Sequence, residues 1–198
     1  MNQENLNKIY KEHSFKYNKH LTPELDITSL VLKSHLFLEE ILHEIILLQC
    51  KNPKALDSIQ FSFHHKLKLA EALHGAHFYN FEIPFRIWPV LDALNKLRNE
   101  LAHRIDSSKL DEKIVKFLRT YDDNFAETKE LSSINEILKK PELLKARVRY
   151  ILNYMLGCLG FIHGLIYLNP PEKFLASLFE EINIKTCAER IIIPNEIK

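Results

Sequence analysis

Residues 94–103 read "LNKLRNELAH". Leu94, Leu97 and Leu101 recur at steps of three and four, the spacing of one face of an α-helix. Upstream, Trp88 and Leu91 continue the same stripe. The spacing therefore predicts a helix from about Phe85 to His103, with Pro84 and Pro89 confining its first turns. A core accounts for the leucines, but not for Arg98, Asn99 and His103. Asn99 and His103 are four apart and share a face, while Arg98 lies about 140° around the helix from His103. One helix thus carries a guanidinium and an imidazole on the flanks of one polar edge, with an amide beside the imidazole.

The segments on either side are helical as well. "TPEL" at Thr22–Leu25 predicts a helix start, with Thr22 as cap and Pro23 in the first turn. The helix continues through "LVLKSHLFLEEILHEIILLQC" on Leu30, Phe37, Ile41, Ile45 and Leu48, and ends at Asn52 and Pro53. A second is expected in "FSFHHKLKLAEALHGAHF", on Phe63, Leu67, Ala70 and Leu73. After the Phe85–His103 helix, a fourth is expected in "KLDEKIVKFLRTYDDNFAET". "SSINEILKK" carries a Ser133/Glu136 capping box, and Pro141 opens a long helix that runs to Leu168. "FLASLFEEIN" predicts a last helix, and "RIIIP" is a solitary β-prone stretch. The fold class expected is an all-α bundle of five to six helices, an up-and-down core with a C-terminal helical extension. Residues 1–20 form a polar lead-in, with a short helix expected near Asn5–Glu12. Residues 21–198 form one helical domain, with a core of about 25–127 and C-terminal helices over 131–182.

Composition agrees with this reading. The chain has 198 residues, 46% apolar and 27% charged, in the range of an ordinary globular domain, and only 4 glycines. A formal charge of +1 supplies no global basic field, so contact with nucleic acid would need a local patch. Cys50, Cys158 and Cys187 are odd in number and far apart, in no metal-ligand spacing; a reduced, cytoplasmic chain is expected. The first twenty residues lack an apolar segment, so no signal peptide is expected. "ILNYMLGCLGFIHGLIYL" at 151–168 has no charged residue but contains Asn153, Tyr154, His163 and three glycines. A buried core helix is expected there rather than a membrane span. Gly157, Gly160 and Gly164 have the spacing that lets a neighbouring helix come close.

Arg98, the polar residue Asn99 directly after it, and His103 after four intervening residues resemble the R-x(4–6)-H motif of the HEPN superfamily of nucleotide-binding helical bundles. "FHHKLKLAEAL", followed by an aromatic-containing loop and "LDALNKLRNELAH", is similar to the mannitol operon repressor-like branch of that superfamily. The resemblance covers about residues 25–110 and does not extend to the C-terminal half. It implies a homodimer formed through the Arg98–His103 helix. It also implies a metal-independent endoribonuclease with no cofactor, acting as a toxin or in antiviral phage defence, with an RNA substrate and an antitoxin or regulatory protein as partner. The alternative is a catalytically inactive regulatory module, like the mannitol operon repressor, that uses "RN…AH" for its own packing.

Cleaving RNA through its 2′-hydroxyl needs a base, an acid for the leaving 5′-oxygen, and positive charge at the phosphorus. Histidine can move the protons and arginine can bind phosphate oxygens. His103 is therefore assigned to proton transfer, Arg98 to phosphate, and Asn99 to orienting either. Lys96 and Arg104 are candidates for the RNA backbone. Glu40 and Glu44 share a face of the first long helix and are possible supporting carboxylates for the motif helix. His74 and His77 are three apart without a completing ligand, so no metal site is expected. Lys145, Arg147 and Arg149 form a short basic run, read as a solvated helix face or an RNA contact. No phosphate loop, GxSxG or CxxC is present.

Overall fold

The structure, a computed structural model, describes residues 16–74, 86–103, 109–125 and 134–168. Among these the chain is all-helical, an α-bundle without strands. After a helical turn at 16–20 come α1 (Ile27–Gln49), a 3-10 turn (Pro53–Leu56), α2 (Phe63–Leu73), α3 (Ile87–His103), α4 (Leu110–Asn124), α5 (Ile134–Leu138) and α6 (Pro141–Leu168). The expected helices near 5–12 and 174–183, the "RIIIP" stretch and Ser133 lie outside the described residues.

α1 is the central element, packing along α6 and also against α2 and α3, while α3 packs along α4. Its buried residues include Leu30, Val31, Leu38, Ile41, Leu42, Ile45 and Ile46, a stripe wide enough to serve several neighbours. Leu91, Leu94 and Leu97 of α3 are fully buried, whereas Trp88 and Leu101 pack at the core edge.

α1 begins later than "TPEL" suggests. Asp26 is its N-cap, accepting from the Ser29 amide at 2.9 Å and from the Ser29 hydroxyl at 2.7 Å. Residues 21 and 22 belong to the preceding turn, because the Arg149 guanidinium donates to the carbonyls of Leu21 (2.8 Å) and Thr22 (2.7 Å). A carboxylate cap at Asp26 also suits the positive end of the helix dipole.

α6 runs from Pro141 to Leu168 as its sequence indicates. By length and composition it alone among the described helices is long and apolar enough to cross a membrane. It packs as a core helix, burying Val148, Ile151, Leu152, Met155, Leu159 and Ile162. Two of the three spaced glycines do not do what the spacing suggested. A Cβ at Gly157 or Gly160 would meet no atom within 4 Å, so neither mediates a close approach among the described residues. Gly157 instead lies on an exposed side of α6 with Tyr150, Tyr154 and Phe161.

The basic run is structural. Arg147 is buried, pairs with Asp122 of α4 and lies over the rings of Tyr121 (5.2 Å) and Tyr150 (5.5 Å). Arg149 ties α6 to the turn before α1. Both guanidiniums thus hold helices together, which neither a solvated face nor an RNA contact describes.

Candidate functional site

α3 carries the motif at its C-terminal end. Its apolar stripe faces α1 and α4 and leaves an edge with Asp92, Asn95, Lys96, Arg98 and Asn99. Arg98 is half-buried, and its Nη1 donates to Oδ1 of the exposed Asn99 at 3.1 Å. Consecutive helical residues do not ordinarily face each other, and the long arginine stem makes this contact reachable. His103 is the last residue of α3, four after Asn99. Arg104 lies outside the described residues. Lys96 is exposed, and its ammonium is held by Asp92 at 2.6 Å, with His64 of α2 on the other carboxylate oxygen at 4.0 Å.

The supporting carboxylates are placed differently from expectation. Glu40 accepts from Lys16 at 2.6 and 2.5 Å, and Glu44 lies 3.3 Å from Nε2 of the buried His163 on α6. Both act on Tyr17, whose hydroxyl is pushed to a higher pKa first by burial and then by these two carboxylates. At 100° per residue, Glu40 lies about 140° around α1 from His35, and Glu44 about 140° from Glu39. The carboxylate on the α2 and α3 side is Glu39, which pairs with the half-buried Lys66 of α2 at 2.9 Å.

Beside it sits a residue the sequence reading did not single out. His35 of α1 is 2% exposed, its ring packed at a tilt of 30° on Phe63 with centroids 4.0 Å apart. Its Nε2 lies 3.3 Å from Oδ1 of Asn95 on α3. Burial drives its pKa down to about 4; Arg98 pushes the same way, and Asn95 and Glu39 oppose it. His35 is therefore neutral near neutral pH. Since Asn95 Oδ1 can only accept, the Nε2 carries the proton. The available signal was a polar residue in the apolar phase of α1, between Val31 and Leu38, where a buried imidazole needs a partner.

His74 meets Trp88 edge-on at 5.2 Å, and His77 lies outside the described residues. Among the described residues, no three His, Cys, Asp or Glu side chains stand together as a metal site. The arrangement offers a fixed positive charge and two amides on one helix edge, which can bind an oxyanion. No known protein family, curated protein or solved structure matches the chain.

Proposed function

We propose that this chain is a HEPN-like helical protein that cleaves RNA without a metal, through the 2′-hydroxyl. The observation that carries this reading is the Arg98–Asn99 hydrogen bond on an accessible edge of α3, four residues before His103. A guanidinium anchored at one nitrogen keeps its other N–H groups for phosphate oxygens. In this reading Arg98 binds the scissile phosphate and stabilises charge as the 2′-oxygen attacks phosphorus. His103 moves the proton, Asn99 holds the arginine, and the 5′-oxygen leaves protonated, so that a 2′,3′-cyclic phosphate remains. A second copy pairing through α3 supplies a second arginine and histidine to the same cleft, so that acid and base are separate groups. A cytoplasmic setting in toxin–antitoxin or antiviral defence systems belongs to the same proposal.

Mapping the product ends of a cleaved RNA, with EDTA present, tests this. A 2′,3′-cyclic phosphate is expected from the wild type and not from Arg98→Ala. Wild-type protein that leaves varied RNAs intact would favour the non-catalytic, mannitol-repressor-like reading, to which the exposed Tyr150, Tyr154 and Phe161 on α6 lend a protein-binding surface.

A further inference from the structure

We propose that His35 is a positioning residue that turns the Asn95 amide so that Asn95, Arg98 and Asn99 present donors to a phosphate group. The inference rests on the RNA reading only for which phosphate ester is bound. Four side-chain oxygen groups near this edge are engaged within the protein. Asp92 holds Lys96, Glu39 holds Lys66, Asn99 Oδ1 accepts from Arg98, and Asn95 Oδ1 faces His35 Nε2. What the two amides retain is their NH₂ donors, beside the remaining N–H groups of Arg98. Asn95 precedes Arg98 by three residues and Asn99 by four, so all three belong to one region of the α3 surface. Amide donors beside the Arg98 charge, with both amide oxygens engaged, complement an oxyanion.

His35 is built for this task and for little else. It reaches Asn95 from a different helix and is packed against the Phe63 ring, so its ring cannot turn freely. Among the described residues its Nδ1 is buried without a hydrogen-bond partner, so the ring's polar contact is the one Nε2 makes to Asn95. Buried beside Arg98, it remains neutral, with a single donor pointed at Asn95. Without it, the Asn95 amide is free to turn its oxygen toward the incoming anion.

The test is a titration with inorganic phosphate, and then with a short single-stranded RNA in EDTA, followed by NMR. The signals are the side-chain amides of Asn95 and Asn99 and the Arg98 Nε–H. In the wild type these move on titration, and His35 shows the Nε2–H tautomer. His35→Phe fills the same space without the donor and weakens phosphate binding about five- to tenfold, the worth of one hydrogen bond. His35→Gln, which keeps an N–H donor, restores it to within about twofold. Asn95→Ala gives the same weakening at a half-buried position and covers failure of His35→Phe to fold. Equal phosphate affinity in all four proteins, no movement in the wild type, or an Nδ1–H tautomer would overturn the proposal. RNA cleavage is read separately. Phosphate binding lost in His35→Phe with no cleavage by the wild type supports this proposal and defeats the nuclease reading. Cleavage with unaltered phosphate affinity does the reverse.

Discussion

His35 and Asn95, 60 residues apart in sequence, meet with Nε2 and Oδ1 3.3 Å apart, joining α1 to the helix that carries Arg98 and His103. The contact has a consequence for stability. His35 titrates at about 4 when folded and at about 6.5 when unfolded, so between these values the unfolded chain binds the extra proton. Stability contributed by the neutral imidazole is present above about pH 6.5 and is lost as pH falls through 4. The loss amounts to about 3 kcal/mol at most. The charged groups facing His35 are Arg98 on α3 and Glu39 on α1, the latter paired with Lys66 of α2. Chemical denaturation from pH 7 to pH 4 is expected to show a steep decline in the wild type and a shallower one in His35→Phe. An unchanged slope would place the acid sensitivity elsewhere.

Gly157 and Gly160 sit inside α6 with open space where a Cβ would stand. Replacing either by alanine removes the entropic penalty of a helical glycine, so each variant should gain about 0.5–1 kcal/mol. Thermal melts at several protein concentrations check this. A loss that grows with concentration would reveal a partner helix seated on this face.

Arg147 and Asp122 form a pair between α6 and α4, with the guanidinium 7% exposed and the carboxylate 35%. Arg147→Ala leaves Asp122 without its cation and removes the guanidinium from over Tyr121 and Tyr150. We expect a loss of about 2–4 kcal/mol, reduced from the fully buried case by the carboxylate's exposure to water. Lys139→Ala, at an exposed site, should stay within about 0.5 kcal/mol. Equal melting temperatures for the two variants would contradict a structural role for Arg147.

The helices were legible wherever local pattern and packing coincide. Pro141 does open α6, the helix does run to Leu168, and Leu91, Leu94 and Leu97 are core residues as their spacing indicates. The start of α1 was not legible, because Thr22–Pro23 is a good local helix start. It is overridden by Arg149, more than 120 residues further along the chain, which engages the carbonyls of residues 21 and 22. Arg147 was misread for a related reason: charge suggests water, yet its position between Leu144 and Val148 faces the core. Arg98 and Asn99 were visible as a polar edge, while their support was not. His35 and Glu39 sit in a stretch that reads as core and charge, and only the packing of α1, α2 and α3 brings them beside the motif. Glu40 and Glu44 share a face as their spacing indicates, and the α-helical turn directs them to Lys16 and His163.

The most direct measurement is the rate of RNA cleavage in EDTA by wild-type protein and by His103→Ala, with folding of both verified by their helical circular dichroism. Proton transfer by a positioned histidine contributes about 10²–10⁴-fold, so the variant should lose activity by a factor in that range. Equal rates in the two proteins would contradict the assignment of His103 and with it the nuclease reading of α3.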